Sequence, residues 1–135
     1  MSYNLFISHS WKYSNDYDRL IEKLRNYNYF TFRNYSVPVR DPLDISGKRY
    51  ESELREAIED QMRLCNVILV IAGKYASYSD SIDMELDVAV EMGKPIIAIE
   101  PWGSEATSQR AKKVATEVVG WNSSSIVEAI RRLSK

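Results

Sequence analysis

The chain has 135 residues, enough for one domain to bury a core without disulfides or metal. Its formal net charge is −1, which gives no bulk attraction to nucleic acid or an anionic membrane surface, and its lone Cys65 excludes an intramolecular disulfide. With no Cys/His cluster for zinc, no signal-peptide pattern and no apolar run near the ~20 residues of a membrane helix, a soluble, reduced, cytosolic protein without a metal is expected.

Tyr3 to Ser8 reads as a first strand that ends in polar His9-Ser10-Trp11. A helix follows, capped by Ser14 or Asn15, with Tyr17, Leu20, Ile21 and Leu24 as its core stripe and Asn26 to Asn28 as its end. Phe30-Thr31-Phe32 is a short second strand. The next stretch carries Pro38 and Pro42, which forbid regular structure, so Ser36 to Asp41 reads as a mobile lid or wall over a strand end. From Gly47, the positions Tyr50, Leu54, Ala57, Ile58 and Met62 mark a long helix with Glu/Arg pairs on its wet face.

Val67 to Ala72 and Pro95 to Ile99 are continuous apolar runs, the pattern of strands covered on both faces of a parallel sheet. Cys65 reads as a small buried residue beside the first of them. Between the runs, Ser79 to Ser81 offer caps for a helix whose inward stripe is Ile82, Leu86, Ala89, Val90 and Gly93, and Gly93-Lys94-Pro95 stops it. After a polar loop from Glu100 to Ser108 come a short helical piece at Arg110 to Val114, a fifth strand at Glu117 to Gly120 and a closing helix from Ser123 to Leu133. Strands alternating with helices, joined by right-handed crossovers, predict an α/β, flavodoxin-like, three-layer fold, residues 1–135 forming one domain. Its five-stranded parallel sheet is expected in the order 2-1-3-4-5, which brings the carboxyl ends of strands one and three together at the switch point.

That topology gathers Ser8 to Trp11, the Ser36 to Asp41 loop and Glu85 at one rim. Glu85 lies three residues from Ile82 and four from Ala89, at the edge of the apolar stripe, where a charge is costly without a task or a partner. The plainer reading is a first-turn carboxylate that complements the helix dipole, worth roughly 0.3–1 kcal/mol. His9 is either a general base or an ordinary surface residue. Ser46-Gly47-Lys48-Arg49 could cradle phosphate at a helix start but lacks P-loop spacing. No GxGxxG, nucleophile elbow or receiver-type acidic pocket is present.

Phe6-Ile7-Ser8-His9, the Pro-bearing loop after the second strand, and Ser79 to Glu85 running into Gly93-Lys94-Pro95-Ile96-Ile97 together resemble a TIR domain. More narrowly, the FISHS opening and the YSVP loop are similar to the small bacterial and archaeal TIR-like family that includes the ThsB sensors of Thoeris anti-phage defence. The resemblance implies NAD as substrate, no cofactor, Glu85 as the catalytic glutamate, and an ADP-ribose-type signal, cyclic or linear, read by a separate effector protein. The substrate-binding candidates that go with it are Phe6, Ser8, His9, Trp11, Ser36, Arg40, Asp41, Ser46, Tyr78 and Ser81. Where enzymatic TIR domains commonly carry Trp and Cys before the glutamate, this chain has Ser81 and Ile82, so Trp11, Tyr78 or a neighbouring protomer must supply the aromatic that stacks on nicotinamide. Two readings compete: a non-catalytic assembly module, suited to a chain with nine tyrosines, and a nucleoside deoxyribosyltransferase-like glycosyl transfer.

Overall fold

The computed structural model describes residues 2–8, 14–35, 48–72, 80–100 and 109–134; in the four segments that open on a helix, side chains are described from 17, 52, 82 and 110 onward. The elements alternate along the chain as β1 (Ser2–Ser8), α1 (Ser14–Arg25), β2 (Thr31–Asn34), α2 (Lys48–Met62), β3 (Val67–Ile71), α3 (Asp80–Glu91), β4 (Ile96–Glu100), α4 (Gln109–Val114), β5 (Glu117–Gly120) and α5 (Ser123–Leu133). All strand pairs are parallel, and the sheet order is β2-β1-β3-β4-β5, as expected from the sequence.

Strand side chains alternate between faces, so each central strand feeds two cores. Phe6, Ile68, Val70, Ile96 and Ala98 join Leu54, Ile58 and Met62 of α2, Ile82, Leu86 and Ala89 of α3, and Ala111 of α4. Leu5, Ile7, Val67, Leu69, Ile71, Ile97 and Ile99 meet Leu20, Ile21 and Leu24 of α1 and Ile126, Val127 and Ile130 of α5 on the other face. Every residue of β3 is buried, which is why its sequence is apolar without alternation. Cys65 is buried as expected, and burial pushes its thiol up to about 12, so it stays neutral.

The caps follow from local chemistry. Asn122 is extended (φ −139°, ψ 123°), and its side chain accepts a hydrogen bond from the Ser125 N–H at 3.1 Å, opening α5. Gly93, at φ 66°, closes α3: its N–H donates to the Val90 carbonyl at 3.1 Å and the Lys94 N–H donates to Ala89 at 3.0 Å. The Lys94 ammonium then donates to the Cys65 carbonyl at 3.0 Å, just past the end of α2.

Several sequence expectations need correction. The second strand is Thr31–Asn34, not Phe30 to Phe32; Tyr29 takes a left-handed turn conformation (φ 61°), and Phe30 is a buried anchor ahead of the strand. The first helix starts at Ser14, so neither Ser14 nor Asn15 precedes it as a cap. On α2, Ala57 faces solvent, because Leu54, Ile58 and Met62 form a narrow four-residue stripe. On α3, Val90 is 54% exposed and Gly93 is exposed at the helix end, whereas Val88 is buried. The side chains of Tyr50, Asp80 and Ser81, the capping residue Ser79 and the loop holding Trp102 lie outside the described residues.

Candidate functional site

In β1, Leu5 and Ile7 point to the α1/α5 face, so Phe6 and Ser8 point to the α2/α3 face. Ser8 is the last residue of the strand and lies opposite Val70 of β3 in register. Its side chain is therefore held at the carboxyl end of β1, directed toward α3.

Glu85 meets it there. At 100° per residue, the buried positions Ile82, Glu85, Leu86, Val88 and Ala89 span an arc of about 160°, whose middle falls between Glu85 and Ala89. The arc is wide because α3 packs against α2 and α4 as well as the sheet. Glu85 thus occupies the centre of the buried stripe, not its edge, and is 3% exposed. It is the sixth residue of α3, about 8 Å along the helix axis from the start at 1.5 Å per residue, which sets it below the rim.

The Ser8 hydroxyl donates a hydrogen bond to a Glu85 carboxyl oxygen, joining residues 77 positions apart in the chain. Both groups are buried, and they are the two buried polar side chains among the described residues. Burial pushes the Glu85 carboxyl up to about 8, with the Ser8 hydrogen bond pulling the other way. Among the described residues, no opposite charge contributes. Near neutrality the carboxyl is therefore mostly protonated in this structure, and an added positive charge beside it would favour ionisation.

Ion pairs to the neighbouring helices, which the sequence reading did not identify, fix the helix bearing Glu85, while Arg55–Glu59 is one of the Glu/Arg pairs expected on α2. Arg110 of α4 pairs with Asp83, at 3.0 Å, and with Asp87 of α3. Arg55 of α2 pairs with Glu91 at the far end of α3 and with Glu59 at 3.1 Å. The available signal was Asp83 and Asp87, four apart on one helical face and in need of a cation.

Of the candidates from sequence, the structure brings together Ser8 and Glu85, with Phe6 in the same core cluster one strand position pair away. His9, Trp11, Ser36, Arg40, Asp41, Ser46 and Tyr78, the Ser81 side chain, the Ser36 to Asp41 loop and its expected mobility lie outside the described residues. Ile82, standing where a Cys is common in enzymatic TIR domains, is a buried core residue of α3. Among the described residues, no three His, Cys, Asp or Glu side chains cluster as metal ligands, and no helix is long and apolar enough to cross a membrane.

No curated protein matches the chain by sequence. Among solved structures, the chain is similar to the interleukin-17 receptor B SEFIR domain, with 7% identity, a TM-score of 0.63, and coverage of 99% of this chain and 98% of that one. A 3-dehydroquinate dehydratase-like protein from Bifidobacterium longum matches at 9% identity and a TM-score of 0.47, over 99% of this chain and 95% of the other. The first of these likenesses shows the fold alone. The family described as "Thoeris protein ThsB, TIR-like domain" matches residues 6–106, most of the chain and all of the stretch from Phe6 through Glu85 to β4, and the chain belongs to that family.

Proposed function

We propose that this chain is a TIR-like enzyme that cleaves the nicotinamide–ribose bond of NAD, with Glu85 as the catalytic carboxylate. The observation that carries the reading is a carboxyl group buried to 3% exposure at the carboxyl side of the central strands, held by a serine and, among the described residues, lacking a structural cation. Perturbed, buried carboxyl groups at such sheet edges are candidates for chemistry.

The reaction suits one carboxylate. The C1′–N bond breaks, its electron pair goes to the pyridinium nitrogen, and nicotinamide leaves neutral without needing an acid. The ribose is left as an oxocarbenium-like cation, which the Glu85 carboxylate stabilises as the charge grows. The positive substrate also favours the ionised form of Glu85. Water attacking C1′ gives ADP-ribose and releases one proton; attack by another part of the bound molecule gives a cyclic product. In anti-phage defence the product would act as a signal to a separate effector protein in the cytoplasm, and a homo-oligomer could complete the site with an aromatic from a neighbouring protomer.

The test is nicotinamide release from NAD in infected-cell extract, read together with effector activation. Glu85→Gln keeps the shape and removes the charge, so turnover should fall at least ~10²-fold. Undiminished signalling by a folded Glu85→Gln protein overturns the enzymatic reading. The near-complete burial of Glu85 also favours a second one, in which a neutral Ser8–Glu85 hydrogen bond ties α3 to β1 in a non-catalytic assembly module. Release of free base from deoxynucleosides would instead indicate the glycosyl-transfer alternative.

A further inference from the structure

We propose that Ser8 is a positioning residue that regulates the charge of Glu85: its hydroxyl is committed to the carboxyl group and governs how readily that group ionises, instead of contacting substrate. The inference rests on the reading of Glu85 as the catalytic carboxylate, and Ser8 acts through it.

Ser8 is fully buried at the end of β1 and lies in register with Val70 of β3, so the β3 ladder holds the backbone that presents its hydroxyl, while β2 pairs with the earlier part of the strand. Strand parity sends that hydroxyl to the α3 face, where it meets Glu85 at the centre of the buried arc. A buried carboxylate is ordinarily stabilised by a cation. No described cation on the elements packed around α3 acts on Glu85: Lys113 of α4 is exposed to solvent, and the others are held by other partners. Arg55 of α2 pairs with Glu59 and Glu91, and Arg63, just past the end of α2, pairs with Glu59 and Asp60. On α4, Arg110 pairs with Asp83 and Asp87, and Lys112 pairs with Glu100 of β4 at 3.5 Å. Lys94 donates to the Arg63 and Cys65 carbonyls, and the Cys65 thiol on the same face stays neutral. The other anionic side chains described on α3, Asp83, Asp87 and Glu91, are likewise tied to these arginines. Among the described residues, the Ser8 hydroxyl is left to do for Glu85 what a cation does elsewhere: favour the charged form.

The experiment has one arm without substrate and one with it. Carboxyl carbon NMR on the full chain, with the Glu85 resonance assigned by its loss in Glu85→Gln, follows the titration directly. Ser8→Ala should move the Glu85 midpoint upward by roughly one to two pH units, the worth of a hydrogen bond to a charged group. Ser8→Thr, which restores a hydroxyl, should return it toward wild type. Should Ser8→Ala not fold, Ser8→Cys, close in size and a weaker donor, should shift the midpoint in the same direction. In the NAD assay, the acid limb of the kcat profile should move up with the NMR midpoint while KM changes little. An unchanged Glu85 midpoint in folded Ser8→Ala overturns the proposal, as does a raised KM with an unmoved acid limb, which is the mark of a substrate contact. If the midpoint moves while no variant cleaves NAD, the role of Ser8 stands and the enzymatic reading falls.

Discussion

Glu85→Gln should make the stability of this protein less dependent on pH, and the direction follows from the burial of one carboxyl group. In the folded chain the group holds its proton up to about 8, against an ordinary value near 4.5. Between those limits the folded state binds a proton that the unfolded state has released, so raising the pH favours unfolding. The stabilising difference is fully present below about 4.5, falls by roughly 1.4 kcal/mol per pH unit through the window, and is gone above about 8. Over the whole window the loss is on the order of 3–5 kcal/mol, a large part of the 5–15 kcal/mol that holds a typical domain together. Glutamine cannot ionise and can still exchange a hydrogen bond with Ser8. The variant should therefore match wild type near pH 5 and exceed it near pH 8, by a melting temperature some 10 °C higher at ~3–5 °C per kcal/mol. Urea unfolding of both proteins at half-unit steps from pH 5 to 8.5 measures this, and the wild-type-minus-variant difference isolates Glu85 from other titrating groups. A difference that stays constant with pH refutes the reasoning. So does a variant less stable than wild type by the same ~0.3–1 kcal/mol throughout, since that is the helix-dipole role alone.

Two further expectations separate core from surface. Leu69→Ala empties a fully buried site in β3 and should cost about 2–5 kcal/mol in urea unfolding, whereas Val90→Ala, on the exposed side of α3, should stay within about 0.5 kcal/mol of wild type. Asn122→Ala removes the side chain that caps α5 and should cost about 0.5–2 kcal/mol, read as a lower urea midpoint at unchanged slope.

The parts of the fold that were legible in the sequence are those where one physical signal dominates. β3 and β4 are covered on both faces, so their unbroken apolar runs stand out, and strands alternating with helices point to the parallel sheet that the structure shows. β5 and α5 emerged with the expected bounds because Gly120, Asn122 and the Ile126, Val127, Ile130 stripe punctuate them. β2 did not, because a four-residue edge strand carries little signal and Phe30, apolar for packing, reads as though it were part of the ladder. The error on α3 is more instructive. An apolar-only stripe centres the helix on Ile82, Leu86 and Val90, and a buried glutamate is invisible to such a count. Once Glu85 is admitted to the buried face, the arc rotates toward Val88 and Val90 turns outward. The same residue that suggested chemistry was also the one that misplaced the helix face.

The Ser8–Glu85 contact spans 77 positions, from the end of the first strand to the third helix, across the sheet interior. It can form only after β1 has found β3 and α3 has folded back across both, so it belongs among the last native contacts to be secured on the way to the folded state. Until then Glu85 is hydrated, with an ordinary acidity, and an incomplete chain holds an unremarkable acidic side chain in its place. A nascent or proteolytically nicked chain would therefore lack the group's unusual proton affinity, which makes the Glu85 titration a direct reporter of when β1, β3 and α3 have come together.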